Sequence, residues 1–237
     1  MEPSQNQLIA GLGLNARMSL LPLGETVPLT VSQVLGEAGR PIRHVYFPLA
    51  GFISLLAGRH EGAGMEVAMV GTEGMLGASL ALGVATHPVG AVVQASGSAW
   101  RVEARAFRTQ LALSAPLCRA VRRYLYVLIC QQATSSLCLR FHLLAPRLAR
   151  WLLMGQDRAH SARFHVTHEV LATMMGVRRV GITNAATALQ HRGLIAYQRG
   201  EMRIVDREGL EAAACGCYRA DLKSYADILP PAGFTLP

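Results

Sequence analysis

The sequence predicts an α+β fold, in which an N-terminal antiparallel β-roll is followed by one long helix and by a C-terminal helical region closed by a small hairpin. Three observations predict it. Short apolar runs punctuated by glycine fill residues 17 to 107. From Cys118 to His142, mostly apolar residues recur at alternating spacings of three and four. Thr167 to Asp206 then holds two helical patterns, a glycine turn and a hairpin pattern within forty residues.

In chain order, Gln7 to Leu14 can form a short helix. The strand-like runs are Val45 to Phe47, Phe52 to Leu56, Val67 to Val70, Ala91 to Gln94 and Ala99 to Val102. Turn signals stand at Gly39-Arg40-Pro41, Gly58 to Gly64, Gly71 to Gly77 and Gly97. They are too closely spaced for crossover helices, so the strands should pair mainly antiparallel. The Gly71-x-x-Gly74-x-x-Gly77 spacing lacks the Lys and Ser/Thr of a phosphate-binding P-loop and reads as turn chemistry.

The long helix carries Cys118, Val121, Leu125, Leu128, Gln132, Ser135, Leu139 and His142 in strict three-four alternation, which is the pattern of a coiled-coil seam. Gln132 and Ser135 are polar where a maximally stable zipper has Leu or Ile, and such residues set register at some cost in stability. Val121, Leu125, Leu128, Gln132, Ser135 and Leu139 are the expected dimer contacts. The same periodicity also fits a helix packed on its own β-roll. Leu143 to Met154 follows as a further helix, with Pro146 in its first turn, where a missing N–H is tolerated.

Thr167 can cap a helix whose inner face is Val170, Leu171 and Met174, and Met175-Gly176-Val177 breaks the pattern where a tight turn belongs. A second helix buries Ile182, Ala185, Ala186 and Leu189 and leaves Arg178, Arg179, Gly181, Thr183, Asn184 and Thr187 outward. His191-Arg192-Gly193 ends it with basic residues against the negative helix end and a glycine just beyond. Leu194 to Tyr197 and Met202 to Val205 then form a two-stranded wing about Gln198 to Glu201. That is the plan of a winged helix-turn-helix. In it, Arg178 or Arg179 can present a fork of donors to guanine, Asn184 can pair with adenine, Val180 can touch a thymine methyl group, and Thr183 faces the same groove. Thr167, His168, Thr187, Arg199 and Arg203 are the candidates for phosphate contacts.

The charge distribution agrees with that reading. The net charge is +8, yet residues 1 to 110 hold seven Arg and seven acids, and residues 111 to 237 hold sixteen basic residues against eight acids. The whole excess lies in the half with the helix-turn-helix, where a polyanion should meet it. No apolar run approaches a membrane span and the first residues lack a signal-peptide pattern, so a cytoplasmic protein is expected. Five Cys, none before Cys118, argue against a disulfide framework and for reduced thiols. His165, His168 and Glu169 do not have zinc-protease spacing, and Cys215-Gly216-Cys217 could hold a metal or a redox couple only with ligands from elsewhere. No metal and no cofactor are therefore expected. The chain also lacks a nucleophile elbow, paired carboxylates and a dinucleotide fingerprint, so nothing supports an enzyme.

From about Arg17 to Tyr218 the chain resembles the Crp/Fnr superfamily of transcription regulators. The resemblance is carried by G-V-R-R-V-G-I-T-N-A-A-T-A-L-Q-H-R-G-L-I, by Y-F-P-L-A-G-F-I-S-L-L, and by D-R-E-G-L-E-A-A-A-C-G-C-Y. It implies three parts: a cyclic-nucleotide-binding-like β-roll at 1–114, left through a small helix at Ala104 to Ser114; a dimerisation helix at 115–142; and a winged helix-turn-helix at 143–237. It also implies a homodimer on double-stranded DNA at an inverted repeat, and it admits RNA polymerase as a further partner. Arg178 stands where the family often has a capping Ser. Family members that bind cyclic nucleotides carry a Gly-Glu pair and an Arg-Ser pair in the phosphate cassette, and the matching stretch here has neither. Glu73 falls outside that pattern, and His87 and Arg101 read as ordinary surface residues. Control by cyclic AMP is not expected, and the effector is unknown. The alternative is a small-molecule sensor module that acts through protein partners.

Overall fold

The computed structural model describes residues 2–58, 64–198 and 200–229. Its N-terminal half is a five-stranded sheet of β1 (Gly24–Leu29), β2 (Val34–Gly36), β3 (His44–Ala57), β4 (Met65–Val70) and β5 (Gly90–Glu103), in the order β1-β5-β3-β4 with β2 also on β5. Every pairing is antiparallel, as the short turn spacings predict. The separate apolar runs merge, because β3 and β5 are each fourteen residues long. Gly97 is therefore not a turn. It lies within β5 opposite a bulged stretch of β3, where a Cβ would stand 2.0 Å from the carbonyl oxygen of Ala50. Gly51, at φ +73°, is the left-handed residue of that bulge. The paired strands bend there without breaking.

Two short helices, α1 (Gln7–Ala10) and α2 (Leu14–Leu20), replace the single one expected. Asn6 is fully buried and fixes their entry: its Oδ1 accepts from Ile9 N at 3.2 Å, while its Nδ2 donates to the Pro48 and Gly74 carbonyls, both at 2.9 Å.

Helix α3 (Ala104–Leu113) leads out of the roll into α4 (Ala115–Phe141), which Ser114 caps by accepting from Leu117 N. The roll captures one face of α4: Leu117, Val121, Tyr124 and Val127 are all fully buried within the chain. Val121 thus belongs to the internal core and not to a surface seam. The cause is that α4 has two apolar faces, and periodicity does not say which one the roll takes. Leu125 and Leu128 are half-buried against the same core, Ser135 is half-buried, and Gln132 and Leu139 are exposed. Tyr126, Ile129 and Leu137, with Ala133 between them, form an exposed apolar stripe one residue round from the predicted seam.

The C-terminal half comprises α5 (Leu144–Ala159), β6 (Arg163–His165), α6 (His168–Met175), α7 (Arg179–His191), β7 (Ile195–Gln198), β8 (Glu201–Ile204), α8 (Arg207–Ala213) and α9 (Cys217–Ile228). It shares a core with the roll. Leu148, Trp151 and Leu152 of α5 pack with Phe52, Leu56 and Met69 on one side and with Leu171, Ile182, Leu189 and Met202 on the other.

One buried ion pair crosses the same boundary, and a second lies within the C-terminal half. Arg158 Nε meets Glu73 Oε1 at 2.8 Å, and Arg150 meets Asp221 at 2.6 Å. Tyr225 Oη accepts from Arg158 at 2.9 Å and from Gln131 Nε2 at 2.7 Å, and Gln131 Oε1 accepts from Met69 N at 2.9 Å. Roll, long helix, α5 and α9 are therefore joined through buried, hydrogen-bonded charges, with Asp221 Oδ1 left without a hydrogen-bond partner. Among the described residues no helix is long and apolar enough to cross a membrane.

Candidate nucleic-acid interface

Thr167 caps α6, its Oγ1 accepting from Val170 N at 3.2 Å. Gly176, at φ +64°, ends the helix with its N–H directed to the Ala172 and Thr173 carbonyls. Only a residue at ease in left-handed conformation allows α7 to start so soon. Ile182, Ala185, Ala186 and Leu189 are buried, so α7 presents the opposite face to solvent. Arg178, Arg179, Val180, Thr183, Asn184 and Thr187 are all exposed on that side. Arg178 is the N-cap and makes no side-chain capping bond. No side chain covers the positive end of α7, which suits an anion.

His168 is placed differently from its expected role. Its Nδ1 lies 3.1 Å from Thr183 Oγ1, its ring stacks on Tyr197 at 4.3 Å between centroids, and its Nε2 is enclosed without a partner. Burial, and then the charge of Arg179, lower its pKa and favour the neutral ring. A neutral imidazole with an enclosed Nε2 is a poor phosphate ligand; His168 positions α7 against the wing instead. Thr167 is likewise engaged as a cap.

The wing is a three-stranded sheet in the order β6-β8-β7, one strand more than the sequence suggested. A three-residue strand is too short to show alternation. It brings Arg163 directly opposite Arg203 in the β6–β8 register, and both are exposed. Like charges in that relation repel unless an anion lies between them. A groove lined by Arg163, Gln190, Tyr197, Gln198 and Arg203 runs beside them. Arg163 is thus a candidate phosphate contact that sequence reasoning missed. Arg199 lies outside the described residues.

The residues considered for an effector are otherwise occupied. Glu73 holds Arg158, and Arg101 pairs with Glu25. His87 is buried against Gly36 and is not a surface residue; its burial lowers its pKa. Between the two halves lies a cavity of about 310 Å³ lined by Glu66, Gln131, Ser135, Arg150, Trp151 and Met174 among others. Burial pushes the Glu66 carboxyl up to about 7, against the opposing hydrogen bonds from Ser54 and Trp151. A carboxyl whose pKa is raised on folding contributes stability that is lost as pH rises through that value. Glu66→Gln should therefore melt higher than the parent at about pH 8 and near it at about pH 5, in a thermal-denaturation series across pH.

Among the described residues one group of His, Cys or acidic side chains gathers closely enough to hold a metal, and it consists of Cys138, His142, Cys215 and Cys217. His165 instead pairs with Glu201 at 3.0 Å.

Comparison with known proteins places these features in a wider set. Residues 146–213 match the Crp-like helix-turn-helix domain. No match in sequence was found among curated proteins. Among solved structures, a putative transcriptional regulator of the Crp/Fnr family from Eubacterium rectale superposes with TM-score 0.68 at 17% identity, covering 89% of this chain and 98% of that one. FixK2 from Bradyrhizobium japonicum gives 0.68 at 13% identity, covering 81% and 98%. A CRP-family transcriptional regulator from Thermus thermophilus gives 0.66 at 21% identity, covering 79% and 96%.

Proposed function

Since residues 146–213 form a Crp-like helix-turn-helix domain on a chain with the Crp/Fnr regulator fold, we propose that this protein is a sequence-specific DNA-binding transcription regulator. The observation that carries the reading is the outward face of α7, where two arginines, an asparagine and two threonines stand exposed together at an uncapped helix start. Arg178 and Arg179 supply donors to guanine or phosphate, Asn184 reads adenine, and Val180 meets a thymine methyl group. Arg163, Arg203 and Thr187 hold phosphates on either side.

The active unit is a homodimer. The free stripe Tyr126, Ile129 and Leu137, flanked by Leu125, Leu128, Gln132, Ser135 and Leu139, supplies the contact between the two long helices. Two α7 helices about 34 Å apart then read an inverted repeat one DNA turn in spacing. Cyclic AMP is not the controlling ligand on this reading, since residues 70–94 carry neither the Gly-Glu pair nor the Arg-Ser pair of a phosphate cassette.

The test is selection of random duplex DNA by the purified protein, followed by fluorescence anisotropy on the selected and scrambled duplexes at two salt concentrations. An inverted repeat bound far more tightly than scrambled DNA is expected, with affinity falling linearly in log salt by a slope of about 0.9 per phosphate neutralised. Weak binding indifferent to sequence would reject the regulator reading and favour output through a protein partner.

A further inference from the structure

The four sulfur and imidazole side chains beside the interdomain boundary form a second site. Cys138 and His142 stand four residues apart at the end of α4, so they project from one face. Cys215 and Cys217 flank Gly216 at the start of α9. Cys138 Sγ is 3.4 Å from Cys215 Sγ, Cys217 Sγ is 3.5 Å from His142 Nδ1, and all four ligand atoms lie within 4.8 Å of one another. We propose that these residues bind a single tetrahedral Zn²⁺ ion, which clasps the end of the long helix to the turn between α8 and α9.

The geometry selects that class of ligand. A tetrahedron with Zn–S bonds of about 2.3 Å and a Zn–N bond of about 2.0 Å has edges of about 3.5 to 3.8 Å. The observed separations bracket that range. Three sulfurs and one imidazole suit a borderline-soft dication, and a closed set of four protein ligands marks a structural site. The enclosure admits one ion and is too small for an iron–sulfur cluster. The three cysteines are buried, and His142 closes the set from the surface side.

Binding forms three Zn–S bonds and one Zn–N bond, and each protonated thiol gives its proton to solvent. Three thiolates leave the loaded centre with one net negative charge. Arg150 and Arg147 of α5 offset it, since both interact electrostatically with Cys138. The sequence alone gave Cys215-x-Cys217 no outside ligands. The fold supplies them from 75 and 77 residues away.

His142 is also the extended C-cap residue where α4 gives way to α5. An ion held there fixes the angle at which the DNA-reading half leaves the long helix. The metal site itself does not depend on DNA binding, and its test does not use DNA.

The experiment is Co²⁺ titration of the reduced, chelator-stripped full-length protein, followed by visible absorption. One Co²⁺ per chain is expected, with the ligand-field and sulfur charge-transfer bands of a tetrahedral thiolate site, displaced by Zn²⁺. Zn²⁺ should also raise the melting temperature. Cys217→Ser and His142→Ala should each weaken uptake by more than about 100-fold, the upper end for merely supporting residues, while keeping the parent's circular dichroism. Cys118→Ser and Cys130→Ser should bind as the parent does. Absence of saturable one-to-one uptake, a six-coordinate spectrum, or uptake by Cys217→Ser equal to the parent's would overturn the site. So would ready formation of a Cys138–Cys215 disulfide in Zn²⁺-treated protein, since ligated thiolates are protected.

Discussion

Glu73→Ala should destabilise the protein by about 3–5 kcal/mol, read as a fall in the urea midpoint at unchanged slope. Glu73 and Arg158 are 5% and 6% exposed, and Arg158 keeps its charge at any working pH. Without the carboxylate, the guanidinium keeps its hydrogen bonds to the Met154 carbonyl and the Tyr225 hydroxyl, both neutral. The charges of Asp157 and Asp221 act on it without a direct ion pair and replace only part of what Glu73 supplies. Gly71 N also loses its acceptor, Glu73 Oε1, so the loop after β4 loosens with it. Glu73→Gln should cost less, because an amide oxygen can still accept both bonds. Glu37→Ala is the control: its pair with Arg40 is more than two-thirds exposed on both sides, and its loss should fall within about 0.5 kcal/mol. A Glu73→Ala loss as small as the control's would mean that water reaches Arg158.

Arg179→Ala should weaken binding to the selected operator by about 1–3 kcal/mol and relax choice at one base pair of each half-site. Arg179 opens α7 on the exposed face, one turn before Thr183 and close to Asn184. Its guanidinium has the fork needed for guanine O6 and N7. Arg203→Ala, on the wing, should lower affinity by a similar factor for every sequence and reduce the salt slope by about one. The two variants thus separate reading from holding. Anisotropy on the operator and on single-base variants distinguishes them, and an equal loss on all duplexes for Arg179→Ala would make it a phosphate clamp.

The C-terminal half was legible in the sequence because its signals are local. Thr167, Gly176 and Gly193 mark caps and turns within a few residues of the helices they bound, and Ile182 to Leu189 states which face is inside. The roll was legible as a class but not in its strands, because Gly51 and Gly97 bend two long strands that a linear reading cuts at glycine. Val121 shows a different limit. Periodicity reveals that α4 has apolar faces, but only the fold assigns one of them to the roll. Glu73 with Arg158, and Cys138 with Cys215, were out of reach, since each pair is made between residues more than seventy apart. Arg163 was hidden by the shortness of its strand.

The core that Trp151 and Leu148 share with Phe52, Leu56 and Met69 bears on how such a chain can change over generations. A gene fusion joining this helix-turn-helix to a foreign sensor would bare that apolar seam and strand Arg158 without its carboxylate. The unit cannot be shuffled as a cassette. New specificity for DNA can arise on the outer face of α7, where Arg178, Arg179, Val180 and Asn184 point away from the core, whereas a new sensor must be acquired by altering both sides of the seam in step.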